Sequence, residues 1–268
     1  EAIFDRLQHV ADNSPRRVLV VEDNAFSQTV ARGHLQQLGH DVVVTGNGEE
    51  ALEALTADSV FDVVLMDIQM PKMDGLTAAR EIRRRETDGQ RIPIIALTAH
   101  ARSEDRDRCV QAGMDHYLTK PLRRAELTQA LERCFVPGEI VDSGLSRLDG
   151  APGEVILNRE EALELAGDNA VMLGELAQMF LRDAEPIEAQ IMSGATAGDM
   201  QAVRTGVHTL IGMAGMMAME RTLTVLQDLR ERAHAVDVEG VQQQAARLAH
   251  ELELARPPLQ QLTIGVDA

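Results

Sequence analysis

The chain has 268 residues, enough for two compact domains that each bury a core of their own. It sets 26 Lys and Arg against 43 Asp and Glu, a formal charge of -17, so its surface repels nucleic acid and anionic lipid, and neither partner is expected. No apolar run approaches the roughly 20 residues of a membrane span, and no signal-peptide core precedes the first domain.

Cys109 and Cys134 stand in separate helix-like stretches without paired spacing, so neither a disulfide nor a zinc site is expected, and a reducing, cytoplasmic compartment is. The sequence begins at Glu1 without an initiator Met, which reads as a piece of a longer protein; the full-length protein is then free to carry a membrane anchor.

Residues 1–15 read as an N-terminal segment. From Arg16 the chain alternates β-branched runs, "VLVVED", "HDVVVTG", "FDVVLMD", "IPIIALT" and "HYLTK", with amphipathic stretches. Five βα units in succession predict a five-stranded parallel, doubly wound sheet of flavodoxin-like type over residues 16–136. Runs such as "VVLM" lack alternation, as strands covered on both faces require. Residues 137–153, within "VPGEIVDSGLSRLDGAPGE", are rich in Gly, Ser, Asp and Pro and read as a linker.

After the linker only helical patterns occur. Asn158 and Glu161 form a capping box for a short helix ending at Gly167. Asp168 is expected to cap a long helix carrying Leu173, Leu176, Phe180, Ile187 and Ile191, bent at Pro186, and Asp199 to cap a third. Two further amphipathic stretches, "LTVLQDLRERAH" and "VQQQAARLAHELELA", complete an up-and-down helical bundle over 154–264. The fold class is therefore α/β followed by all-α.

Chemistry gathers at the strand ends. Glu22 and Asp23 follow the first strand and Asp67 closes the third, and in a parallel sheet with those strands adjacent the three carboxylates converge. They are then either partly protonated or bound to a hard divalent cation, for which Mg2+ with retained waters fits. Thr98 and Lys120 close the fourth and fifth strands, where a hydroxyl and an ammonium suit a phosphoryl oxygen. Pro121 directly after Lys120 is a candidate cis peptide.

These residues stand in "VLVVEDN", "VVLMDIQMPKMDG", "IIALTAH" and "YLTKPL", and the first half of the chain resembles the receiver domain of two-component signalling. The resemblance implies that Asp67 is the phospho-accepting nucleophile. It implies that Glu22, Asp23 and Asp67 hold Mg2+ with the backbone carbonyl of Gln69, that Lys120 and Thr98 contact the phosphoryl group, and that Tyr117 is an aromatic switch coupled to Thr98. Aspartyl phosphatases share the topology but place a second aspartate two residues after the first; here that residue is Gln69, which leaves no acid for the leaving group. A dinucleotide site is excluded because no glycine-rich turn follows "VLVVED".

The third helix of the bundle contains "RTGVHTLIGMAG". At 100° per residue, Val203, Val207, Leu210, Ala214 and Met217 form one stripe, and His208 points away from it with Gln201, Arg204, Thr205, Ile211, Gly212 and Gly215. Two glycines beside a histidine are costly in a helix, which suggests close approach by another molecule at Gly212 and Gly215. One turn from His208 stand Arg204 and Gly212 rather than second metal ligands, so an imidazole that accepts and donates a phosphoryl group remains.

"HTLIGMAG" and its surroundings, residues 154–262, resemble a histidine-phosphotransfer (HPt) domain. The resemblance gives His208 the phosphohistidine role and Gly212 the clearance role, and departs at Ile211, where the family usually has lysine. Arg204 is the candidate replacement for that charge. Met213, Met216, Met217 and Met219 read chiefly as core.

A receiver followed by an HPt bundle resembles the C-terminal part of a hybrid sensor histidine kinase. The implied partners are a histidine kinase domain, upstream in the same polypeptide or in trans, and a downstream response regulator. The rival reading is a non-catalytic binding module switched by phosphorylation. No ATP-binding kinase module is recognisable in these residues, so the chain is expected to be a phosphotransfer intermediate.

Overall fold

The computed structural model describes residues 15–57, 60–87, 91–98, 103–134 and 155–264, with no side-chain detail for 103–105. The expected N-terminal segment, apart from Pro15, and the expected linker 137–153 lie outside the described residues. The chain divides into two compact units.

Among the described residues of the first unit, five strands alternate with five helices: β1 (Arg17–Val21), α1 (Ala25–Gln37), β2 (Asp41–Thr45), α2 (Gly48–Ala57), β3 (Val63–Asp67), α3 (Gly75–Arg85), β4 (Ile94–Thr98), α4 (Ser103–Gln111), β5 (His116–Thr119) and α5 (Arg124–Cys134). All pairings are parallel, in the order β2-β1-β3-β4-β5. The unalternated apolar runs are explained by a core on each face. Val18, Val20, Val63, Leu65, Ile95 and Leu97 pack with Ala31 and Leu35 of α1 and Leu127, Ala130 and Leu131 of α5. Leu19, Val21, Val64, Met66, Ile94 and Ala96 pack with α2, α3 and Cys109 of α4. Each such buried aliphatic side chain contributes about 1.5–3 kcal/mol relative to exposure.

The strand order reverses between β1 and β3, and Val21 lies level with Met66 there. The residues that follow, Glu22 and Asp67, are therefore neighbours at the carboxyl edge of the sheet, the position where open parallel sheets place their ligands.

The second unit holds α6 (Arg159–Leu165), α7 (Ala170–Ala197), α8 (Met200–Met216), α9 (Glu220–Ala235) and α10 (Val238–Thr263). Contacts link α7 to α8, α8 to α9, α9 to α10, and α10 back to α7, and the connections between these four helices are two or three residues long. Short connections force antiparallel neighbours, hence a four-helix bundle with α6 beside it.

Asn158 caps α6 through the Glu161 N–H, and Asp199 caps α8 through Gln201 and Ala202. The cap of α7 is Asn169, not Asp168: Gly167 and Asp168 both take left-handed φ (68° and 58°), which moves the extended cap geometry one residue on, and Asn169 accepts from Val171 and Met172. The left-handed turn uses a glycine and an aspartate, residue types that tolerate it.

α7 runs uninterrupted through Pro186, and α10 through Pro257 and Pro258. In α10 the buried stripe continues past the prolines to Leu259 and Leu262, so burial overrides propensity. Met213, Met216, Met217 and Met219 are all buried, as core packing requires.

Candidate functional site

In the first unit, one oxygen from each of Glu22, Asp23 and Asp67 falls within 4.8 Å of the other two. Glu22 is 1% and Asp67 2% exposed, while Asp23 faces solvent. Lys120, directly after β5, inserts Nζ between the buried pair, 2.5 Å from Glu22 Oε2 and 2.7 Å from Asp67 Oδ2. The Lys120-Pro121 peptide is cis. Thr98, 7% exposed, closes β4 level with Thr119, and its carbonyl accepts the Lys120 N–H at 2.7 Å.

Local sequence fixes each group. Asn24 caps α1 by accepting from Phe26 and Ser27, so β1 stops at Val21 and Glu22 turns into the site. Gln28 donates to the Glu22 carbonyl at 2.6 Å, a contact with no signal in the strand-end pattern. Gln69 is exposed, and its N–H donates to Asp67 Oδ1 at 3.1 Å. A Cβ on Gly75 would stand 2.0 Å from the Asp67 carbonyl oxygen, so only glycine lets α3 begin against the end of β3. The "DG" before an apolar helical pattern was the signal for it: Asp74 caps α3 through Thr77 N–H.

Burial pushes the Glu22 carboxyl up to about 8, with Lys120 opposing and the Asp67 charge adding to the rise. Partial desolvation beside the buried pair, then repulsion from Asp67, raises Asp23. Burial alone would lower the Lys120 ammonium, but the facing carboxylates of Glu22 and Asp67 outweigh it and hold it above the ordinary lysine range. Once ionised, the three acids outweigh the one lysine and offer oxygen donors within 4.8 Å of one another, which fits a divalent ion such as Mg2+. Tyr117 is half-buried against the α2–α3 face of the sheet, with the Arg106 guanidinium 5.7 Å from its ring centre.

In the second unit the expected stripe is fully buried: Val203, Val207, Leu210, Ala214 and Met217 are all 0% exposed. His208 is partly exposed, as are Ile211 and Gly212. Gly215 is buried, so it clears no space for an outside molecule, contrary to expectation. Gly206, to which the sequence reading gave no role, is a close-packing position: its Cβ would fall 2.6 Å from Ile191 Cγ1, so α7 and α8 approach across it. Arg204 donates through Nη1 to the Ala233 carbonyl at 3.1 Å and through Nη2 to Gln201 Oε1 at 2.9 Å.

Residues 18–132 match the family model of the response regulator receiver domain, and residues 175–258 that of the Hpt domain. The chain therefore carries a response regulator receiver domain followed by an Hpt domain. The two domains, with sensor histidine kinases among the chain's relatives, support two-component phosphorelay signalling.

Sensor histidine kinase GacS of Pseudomonas protegens is 34% identical over 202 residues, 73% of this chain and 22% of the relative. Aerobic respiration control sensor protein ArcB of Escherichia coli K12 is 30% identical over 224 residues, 82% of this chain and 28% of the relative. The chain thus spans about a quarter of the length of these relatives. Among solved structures, the receiver domain of the sensor histidine kinase PA1611 of Pseudomonas aeruginosa PAO1 is 44% identical with a TM-score of 0.42. The match covers 46% of this chain and 98% of that one, whose magnesium ion is coordinated in the active-site cleft. No helix among the described residues is long and apolar enough to cross a membrane.

Proposed function

We propose that Asp67 accepts a phosphoryl group from a kinase phosphohistidine and passes it to His208, which donates it to a downstream response regulator. The observation that carries this reading is the Lys120 ammonium 2.7 Å from Asp67 Oδ2 inside a cluster of three carboxylates. It sets fixed positive charge directly beside an Asp67 oxygen at the carboxyl edge of the sheet, as an in-line attack on phosphorus needs.

In the first step an Asp67 oxygen bonds to phosphorus as the donor nitrogen–phosphorus bond breaks; the donor imidazole leaves with the electron pair. In the second, a ring nitrogen of His208 attacks, the oxygen–phosphorus bond breaks, and Asp67 returns as carboxylate. Glu22, Asp23 and Asp67, with the Gln69 backbone carbonyl, would hold Mg2+, which supplies charge neutralisation of the phosphoryl oxygens. Lys120 and the Thr98 hydroxyl contact the same oxygens, and Tyr117 follows Thr98 as the switch. Gly212 leaves the partner room beside His208. Arg204 supplies a cation one turn from it, its guanidinium fixed by Ala233 and Gln201.

The domain borders proposed are 16–136 for the receiver, 137–153 for the linker and 154–264 for the bundle. The linker composition suits transfer within one chain or between chains. The partners are a histidine kinase domain and a receiver-bearing regulator, and the two free cysteines suit the cytoplasm.

Labelled acetyl phosphate with Mg2+ tests the relay. Alkali-labile label at Asp67 is expected to pass to an acid-labile site lost in His208→Gln. Label that never leaves Asp67 would establish a binding switch instead.

A further inference from the structure

The loop from Asp67 to α3 carries Gln69, and its ends are tied to β3: Gln69 N–H donates to Asp67 Oδ1 and Gly75 N–H to the Ile68 carbonyl. Its middle is held from a different part of the unit, the corner between β2 and α2. Gly48 N–H donates to the Met73 carbonyl at 3.2 Å. A Cβ on Gly48 would stand 2.8 Å from Met73 Cγ, 2.8 Å from Ala78 Cβ and 3.0 Å from the Met73 carbonyl oxygen, closer than packed carbons come.

A second tie runs alongside. Lys72, held at a left-handed φ of 64°, places Nζ 3.8 Å from Glu50 Oε1. Glu50 is itself fixed by the Gly46 N–H (2.8 Å) and Asn47 Nδ2 (2.7 Å), and Asn47, 3% exposed, accepts the N–H groups of Glu49 and Glu50.

We infer that Gly48 is a positioning residue for phosphoryl acceptance: the β2–α2 corner, seated on Met73 and strapped through Glu50 to Lys72, sets the path of the loop that presents Gln69 beside Asp67. This rests on Asp67 being the acceptor. Gly48 opens α2 and has no left-handed φ, so by backbone preference alone an alanine there is neutral or stabilising. Any loss from Gly48→Ala therefore reports the contact with Met73 and Ala78. A sub-ångström displacement of the loop acts on the reacting geometry, where errors near 1 Å cost up to about a hundredfold.

The test uses the full chain, acetyl phosphate and Mg2+. Gly48→Ala is expected to slow Asp67 labelling about tenfold and to raise the Mg2+ concentration for half-maximal rate, with Met73→Ala in the same chain restoring part of both. Asp67→Asn separates the two readings. If it is labelled as fast as the parent, the acceptor assignment fails, and this inference with it. If it is unlabelled while Gly48→Ala labels at the parental rate with the parental Mg2+ dependence, the positioning inference alone is overturned. Should Gly48→Ala not fold, Glu50→Gln, which fills no space but loses the Lys72 ion pair and one of the two hydrogen bonds that Glu50 accepts, is expected to slow labelling about two- to threefold; an unchanged rate overturns the inference equally.

Discussion

The two candidate phosphoryl carriers are built in opposite ways. Asp67 is buried and bracketed by Lys120, Glu22 and the Gln69 N–H, so its surroundings are fixed before any partner arrives. His208 stands partly exposed on a helix whose other face is the core, between Arg204 one turn before and Gly212 one turn after. The difference teaches where each transfer is organised. A buried carboxylate needs its own cation to stay ionised, because burial raises the cost of charge. A partly exposed imidazole leaves most of the charge compensation for its phosphoryl group to whatever docks against it. Under the proposed relay, the receiver domain is the preorganised partner in both transfers involving His208, since a regulator would bring a receiver of its own.

The largest expected effect breaks the first half of that comparison. Lys120→Ala removes two charge-assisted contacts from buried carboxylates and should lower Asp67 labelling by about 10²–10³-fold, the scale of losing one transition-state donor. His208→Gln should leave Asp67 labelling at its parental rate. If Lys120→Ala labels normally, Lys120 does not preorganise the pocket.

A stability effect comes next and belongs to the receiver alone. Arg83 donates to the carbonyls of Gly113 and Ile92 and to the carboxylates of Glu86 and Asp115, with only 13% of its side chain exposed. Arg83→Ala leaves Asp115 and two carbonyls without that partner and should cost about 3 kcal/mol. Tyr117 is the only tyrosine and there is no tryptophan, so tyrosine fluorescence during denaturation follows the receiver without interference from the bundle.

The dependence on pH and metal sharpens the same contrast. Glu22 and Asp23 have raised folded values, so the native state holds protons that the unfolded chain releases. Receiver stability without metal should therefore fall as pH rises from the ordinary carboxylate value of 4.5 towards the 8 of Glu22. Mg2+ requires the ionised acids, so its stabilisation should grow across that window, and the gain in unfolding midpoint should be larger at about pH 8 than at about pH 5. Equal gains at both would contradict the assignment of these acids as ligands.

The smallest effects probe the histidine face. Ile211→Lys adds a cation beside His208 and should lengthen phosphohistidine lifetime about twofold, the scale of an exposed charge contact. Arg204→Ala should shorten it by a similar factor, with Arg204→Lys in between. An unchanged lifetime in Arg204→Ala would reduce that residue to its bonds with Ala233 and Gln201.

Much of the fold and of the candidate site is legible in the sequence. β-branched runs without alternation specified a parallel sheet, and the acids at the strand ends specified its reactive edge, because strand period and strand end are local properties. The stripe from Val203 to Met217 likewise placed His208 on the open face, since helical period alone decides which residues share a side. The helix cap at Asn169 rather than Asp168 was not legible, because the turn before it consumes one more residue than the local pattern signals.

What only the tertiary structure decided is contact between distant segments. Gly206 against Ile191, Gly48 against Met73, Gly75 against the Asp67 carbonyl and the burial of Gly215 all depend on which backbone passes close by. A glycine announces that space is needed without saying what fills it. The sequence by itself determined the two folds, the carboxylate edge and the exposed histidine, through periodicities that each segment carries alone. The structure decided how Lys120 reaches Glu22 and Asp67 and how the loop beside Asp67 is held, because those distances arise only when strands far apart in the chain lie side by side.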